Sequence, residues 1–318
     1  MFRPFARFAL SVALALGLAA GPAAAEIRIT YKSAKTGTSY YQMAVQLAEA
    51  VRAATGGAVV VTVEESQGSV QNVKEAAIRP GNYVFTSPPG LIRRAVEGEK
   101  PFAPRDPAFA EIRALFPIPA LTMHFVVRAD RGVDDFADLA GRRILIGKGS
   151  FGAREARRLL ELFGVAGVEL VEAELSNAVP ALRDGSIDGF VTAGSWPAPN
   201  VIEAAAAVGV RVLSMSDAQV ARTGRARTVI PAGTYPGQSE PVVTTSLPVG
   251  AYTTTRMDAE AAYRLTRAYW EGKDRMAETA PWWRSVTTAD LATLGAPLHP
   301  GARRWYEEAG VELPAALR

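Results

Sequence analysis

The sequence predicts an α/β fold with parallel strands and a ligand site along their C-terminal ends. Two observations lead there. Short apolar strands alternate with longer amphipathic stretches along most of the chain, and polar loops rich in Ser, Thr and Gly recur where a strand gives way to a helix. The 318 residues suffice for a large core or for two domains of ordinary size.

The first element is a targeting segment. Arg3 and Arg7 precede an apolar run from Phe8 to Ala20, Gly21-Pro22 interrupts it, and Ala23-Ala24-Ala25 offers small residues for cleavage before Glu26. This reads as a secretory signal peptide over residues 1–25, cleaved after Ala25. The run is short and alanine-rich, so an uncleaved membrane anchor is the weaker reading. Losing Arg3 and Arg7 lowers the formal charge from +3 to +1. A nearly neutral chain has no electrostatic case for binding nucleic acid. The absence of cysteine excludes disulfides, thiolate metal sites, cysteine nucleophiles and a lipid-modified N-terminal cysteine. With only His124 and His299, no histidine-rich metal centre is expected, and no cofactor either. The expected location is the periplasm, without a membrane span after processing.

The strand Glu26 to Tyr31 runs into Ser33-Ala34-Lys35-Thr36-Gly37-Thr38-Ser39-Tyr40-Tyr41. That loop opens a helix with Met43, Leu47, Ala50, Val51 and Ala54 on one face. Small hydroxyl residues around a glycine at a helix start leave N–H groups free to hold a carboxylate or phosphate; Thr38 or Ser39 serves as N-cap. The strand Ala58 to Val63 leads through Glu64-Glu65-Ser66-Gln67-Gly68-Ser69 to a helix with Val70, Val73, Ala77 and Ile78 inward. Tyr83-Val84-Phe85 ends in Thr86-Ser87-Pro88-Pro89, and prolines fit the first helical turn; Leu91, Ile92, Ala95 and Val96 form that helix's apolar face.

Strands are expected at 112–116 and 124–127, with a short helix at 134–139. The strand Arg143 to Gly147 then meets Lys148-Gly149-Ser150-Phe151-Gly152-Ala153-Arg154, the start of a helix carrying Ala156, Leu159, Leu160 and Phe163. Neither GxxxxGK[ST] nor GxGxxG fits this loop. As a small-anion cradle it offers the Ser150 hydroxyl and, where it is not simply solvated, the Arg154 fork. Strands at 168–171 and 189–192 flank a helix with Val179 and Leu182. Ala193-Gly194-Ser195-Trp196-Pro197 opens the next helix, and Trp196 is set to cap a ligand or to pack in the core. After a strand at 210–213, residues 223–250 break the alternation with a loop through Tyr235 and a return strand. Asp258 caps a long helix with Ala262, Leu265, Ala268, Tyr269 and Met276; Trp282-Trp283 and Trp305-Tyr306 cover a core.

Several stretches, in this order, resemble the TAXI family of TRAP-transporter solute receptors. They are Thr36 to Tyr41, Glu65 to Asn72, Asp138 to Arg143, Leu182 to Phe190, Ile230 to Gly237 and Leu298 to Ala302. The resemblance spans essentially the whole mature chain. It implies a type II periplasmic-binding-protein fold: two α/β lobes joined by a two-strand hinge, with the ligand cleft between them. Lobe 1 would hold 26–127 and 248–318 and lobe 2 would hold 128–247, with crossings near Val127-Arg128 and Leu247-Pro248. It also implies a receptor that delivers a small organic acid or amino acid, such as a glutamate-like or 2-oxoglutarate-like ligand, to an ion-driven membrane permease.

This sequence departs from the family's pattern twice. Thr86-Ser87-Pro88-Pro89 stands where the family usually has Gln or Asn followed by an acid. Where the family reads glycine-serine-glycine-threonine, Phe151 occupies the serine position and Ala153 that of the threonine, with Ser150 one residue earlier.

The expected ligand surface is Thr36, Gly37, Thr38, Tyr40, Ser66, Gly68, Ser69, Thr86 and Ser87 on one lobe and Ser150, Gly152, Arg154, Ser195 and Trp196 on the other, with Tyr235 near the cleft. A receptor of the same fold serving an ABC importer or a membrane sensor kinase is the alternative. An exported hydrolase is the remote one, since no G-x-S-x-G elbow is present and neither histidine sits in a Ser-His-Asp context. No enzymatic activity is expected.

Overall fold

The computed structural model describes residues 26–317, so the expected signal peptide lies outside the described residues. The first strands, β1 (Ile27–Lys32), β2 (Val59–Glu64) and β3 (Tyr83–Ser87), pair in parallel. Helices α1 (Ser39–Ala54), α2 (Ser69–Ala76) and α3 (Pro89–Glu97) carry the chain on from each. Parallel pairing needs such crossovers, and the i, i+3, i+4 burial of Tyr40, Met43, Ala44, Leu47 and Val51 shows α1 lying against the sheet.

The long strand β4 (Ile112–Arg128) follows. Beyond it, β5 (Arg143–Gly147), β6 (Glu169–Ala173) and β7 (Gly189–Gly194) repeat the pattern with α4 (Phe151–Phe163), α5 (Ala178–Asp184) and α6 (Pro199–Val208). The chain continues through β8 (Val210–Val212), α7 (Asp217–Thr223), β9 (Ala226–Ile230) and a second long strand, β10 (Val242–Thr254), before α8 (Ala259–Thr279) and α9 (Pro300–Glu308). The strand order is β2-β1-β3-β10-β4-β7-β5-β6, with β9 beside β10 and β8 beside β4. Among the described residues no helix is long and apolar enough to cross a membrane.

The long strands change partners midway. From Ile112 to Thr122, β4 pairs with β10; from Thr122 to Val127 it pairs with β7. The exchange therefore lies at Leu121–Thr122, and Val127-Arg128, where the first crossing was expected, is the far end of the strand, against β8. On β10 the partners change after Ser246: β9 holds 242–246, and β3 holds 250–252.

Three local expectations are corrected. The strands expected at 112–116 and 124–127 are one strand, which passes through Pro117 and Pro119 with a register shift opposite Pro248. The carbonyls that the ladder leaves over there are taken by hydroxyls: Tyr269 Oη donates to Pro117 O (2.7 Å) and Tyr40 Oη to Pro119 O (3.0 Å). The helix expected at 134–139 is only a 3₁₀ turn at Ala137–Leu139, because the Asp135 and Asp138 carboxylates bind the local N–H groups.

The inward face of α2 is Ser69, Asn72, Val73 and Ala76, and Ile78 lies beyond the helix, 79% exposed. Asn72 is the reason for this rotation. Its buried amide nitrogen donates to Ser33 O (2.7 Å) and Thr86 O (2.9 Å), stitching together the ends of β1 and β3. Asn72→Leu leaves both buried carbonyls without that donor and should cost about 3 kcal/mol of stability, read as a lower urea midpoint at unchanged slope.

Candidate functional site

The loops after β1, β2, β5 and β6, together with Thr86 near the end of β3 and Val191 to Ala193 near the end of β7, converge at C-terminal strand ends on one cavity of about 60 Å³. A single water needs roughly 10–15 Å³ on this measure, so the space holds a handful of non-hydrogen atoms.

Each wall has a local cause. At α1 the Thr38 hydroxyl donates to Lys35 O (2.7 Å) and accepts from the Tyr41 N–H, which folds the Lys35–Thr38 turn over the cavity. At α2 the N-cap is Gly68 with φ 111°, a conformation that side chains disfavour; with no side-chain cap, the first N–H groups of the helix stay available. At α4 the Ser150 hydroxyl caps the Ala153 N–H (3.0 Å), so the N–H groups of Phe151 and Gly152 remain for a ligand. Thr86 Oγ1 is 2.9 Å from Tyr31 Oη, and burial pushes the Tyr31 phenol up to about 12, so it stays protonated. The β7 end adds Val191, Thr192 and Ala193, and Leu121 comes from β4.

The two halves of the sheet touch across the mouth. Lys35 Nζ lies 2.8 Å from Glu174 Oε2, at the end of β6, and this lysine holds the Glu174 carboxyl below the usual carboxylate range. Gln67 spans the same gap, with its oxygen toward Lys35 Nζ (3.0 Å) and its nitrogen toward Lys148 O (3.2 Å). Ser39 Oγ accepts from the Ser195 N–H (2.9 Å), and a Cβ on Gly194 would stand 2.4 Å from that same oxygen.

Of the residues expected to bind ligand, the cavity gathers Thr38, Tyr40, Gly68, Ser69, Thr86, Ser150 and Gly152. The others stand elsewhere. Thr36 binds Glu65 through its N–H and hydroxyl, and with Gly37 it lines a separate exposed hollow beside Ser176 and Asn200. Ser66 is occupied with Ser33 O and the Gly68 N–H. The Ser87 hydroxyl turns back to Pro88 O, and that of Ser195 donates to Ala120 O (2.7 Å). Trp196 packs against the core under α5 and α6, and Arg154 faces a different cleft.

Tyr235 is buried behind the site in a chain of hydrogen bonds. The Ala198 N–H donates to Tyr235 Oη (3.0 Å), which lies 2.8 Å from His124 Nε2, and His124 Nδ1 is 3.2 Å from Thr122 O. The chain is satisfied throughout by a neutral imidazole that donates from Nδ1. His299 is likewise engaged, at Gly301 N–H and Met257 O. Both rings are held by protein groups, which places them in the framework.

The expected ligand surface left out Ser33, Ala34, Lys35, Gln67, Leu121, Gly147, Lys148, Phe151, Glu174, Leu175, Val191, Thr192 and Ala193, which complete the lining. A rule taking every residue just beyond a parallel strand, whatever its type, would have found Lys148, Glu174 and Leu175.

The NMT1-like family model matches residues 32–310. Among solved structures, MatC from Rhodopseudomonas palustris with bound malate is similar with a TM-score of 0.54 at 15% identity, over 91% of this chain and 98% of that one. A protein of Bordetella bronchiseptica RB50 gives a TM-score of 0.51 at 14% identity, over 90% and 98%. The fold is the α/β periplasmic-binding-protein fold of type II.

His124 supplies a test of this framework. Burial lowers its pKa from 6.5 to about 4. The unfolded chain therefore takes up this proton first as pH falls: the contribution to stability is complete above pH 6.5 and is lost toward pH 4, by about 3 kcal/mol. His124→Gln should flatten the stability–pH profile by that amount between pH 6.5 and 4, measured by urea denaturation beside the wild type.

Proposed function

Because the chain belongs to the NMT1-like family, the counterpart of the TAXI-type receptors of TRAP transporters, we propose that it is a periplasmic receptor that closes on a small organic acid or amino acid and passes it to a TRAP-type permease. The observation that carries this reading is a single cavity walled by strand-end loops from both halves of the sheet. The two lobes exchange chain at Thr122 and Ser246.

The ligand carboxylate sits against the N–H groups of Phe151 and Gly152 and the first turn of α2, where two helix dipoles favour an anion. Ser69, Thr86 and Thr192 offer hydroxyls, and Leu121, Val191 and Ala193 take a short apolar body. Lys35 is already neutralised by Glu174, so the helix termini and Lys148 at the mouth provide the positive potential. The small volume favours acids of a few carbons. The malate in the MatC structure is of that size, and a glutamate-like or 2-oxoglutarate-like ligand stands at the upper limit.

The Ser39–Ser195 and Lys35–Glu174 contacts form only when the lobes meet. Ligand touching both lobes shifts an open–closed equilibrium toward this arrangement. The permease reads the closed shape.

Thermal unfolding against short 2-oxo acids, 2-hydroxy acids, dicarboxylates and amino acids tests the ligand class. A true ligand at about a thousand times its Kd adds roughly 4 kcal/mol and raises Tm by several degrees. No shift from any acid, with protein shown to be ligand-free, overturns the carboxylate assignment. Closure has its own test. Gly194→Val puts a side chain where Ser39 Oγ stands, so ligand affinity should fall roughly tenfold or more while the ligand-free Tm changes little. Small-angle scattering of this variant should show no compaction on adding ligand; unchanged affinity would rule out closure through this contact.

A further inference from the structure

A second cleft opens beside Phe151, a residue that lines both it and the strand-end cavity. It measures about 400 Å³ and lies between the start of α3 and the exposed edge of α4, over Leu247-Pro248 of β10. Its charge is one-sided. Arg93 and Arg94 come from α3, Arg154 and Arg158 from α4, and Arg225 from the turn before β9, while Glu155 is the one carboxylate on its lining.

Glu155 is fully committed. Arg158 holds both its oxygens (2.7 and 3.1 Å) and Arg225 Nε lies 3.4 Å from one of them. On the opposite wall Arg93 and Arg94 meet Glu97 and Glu99 only at 4.0 and 3.8 Å. Arg154 lies over the Phe151 ring, 5.9 Å from its centroid, and its Nη2 is buried with no hydrogen-bond partner. Burial and the nearby charge of Arg94 both act against its protonation. A guanidinium keeps its charge under such pressure and is stabilised by an anion that accepts from its fork.

We propose that this cleft binds a dianionic oxyanion, with inorganic phosphate as its simplest form, clamped between Arg94 on one lobe and Arg154 and Arg225 on the other. The site is separate from the carboxylate cavity. Because its walls belong to both lobes, the bound anion also holds them together.

Isothermal titration of the mature chain with inorganic phosphate, at ionic strength fixed with sodium chloride, tests this. The expected result is one site per chain, weakened at least tenfold in Arg154→Gln and several-fold in Arg94→Gln. Arg94 is half-exposed, so its variant reports even where Arg154→Gln fails to fold. Displacement of phosphate by glycerol 3-phosphate assigns the site to phosphate esters, and lack of displacement assigns it to the free anion; either outcome supports the proposal. No saturable binding by the wild type, or binding that both variants retain in full, overturns it.

Discussion

The middle of β4 is the constraint on which the rest of the molecule depends. Pro117 and Pro119 have no N–H to give, so the ladder with β10 cannot run unbroken through Pro117–Ala120, and the register shifts there. The carbonyls of Pro117, Pro119 and Ala120 are satisfied from three directions, by Tyr269 on α8, Tyr40 on α1 and Ser195 beyond β7. A buried carbonyl without a donor is costly, so these hydroxyls fix where the C-terminal helix, the first helix and the second half of the sheet stand. The same break is where β4 exchanges β10 for β7. One irregular stretch thus sets both the joint between the halves and the position of the loops that meet across it.

This explains why several residues with binding chemistry are not at the cavity. Tyr40 reaches it only with its ring, since its hydroxyl serves Pro119. Ser195 and Tyr235 are consumed in the same layer, one on Ala120 and the other between Ala198 and His124. What remains for a ligand is mostly backbone: the free N–H groups at the starts of α2 and α4, supported by hydroxyls. Under the proposed function, such a site would hold an anion without a dedicated buried counter-charge and avoid the desolvation penalty of an unpaired lysine or arginine when empty. The charged groups near the mouth, Lys35 and Glu174, neutralise each other and join the two halves.

The strand–helix alternation, the polar strand-end loops and the family were legible in the chain because they rest on local pattern: hydrophobic period, helix capping and the order of short motifs. Thr38, Gly68, Ser69, Thr86, Ser150 and Gly152, which line the cavity, stand in those loops or at those strand ends. Asn72 was passed over because an apolar-face reading ignores a polar residue that bonds to two strand ends at once. Residues 112–128 form one strand although Pro117 and Pro119 interrupt it locally, because its continuity depends on hydroxyls more than a hundred residues away in α8 and, nearer in sequence, in α1 and the loop after β7.

The sequence by itself determined most of the strand–helix alternation and which loops open helices with free N–H groups, since these follow largely from neighbours within a few residues. The tertiary structure alone decided which hydroxyls are left for a ligand. It also decided that Arg154 faces a cleft of arginines, apart from the strand-end cavity, and that Lys35 meets Glu174. Those outcomes depend on distances between segments far apart in the chain, and a buried polar group answers to whichever partner the fold brings within hydrogen-bond reach.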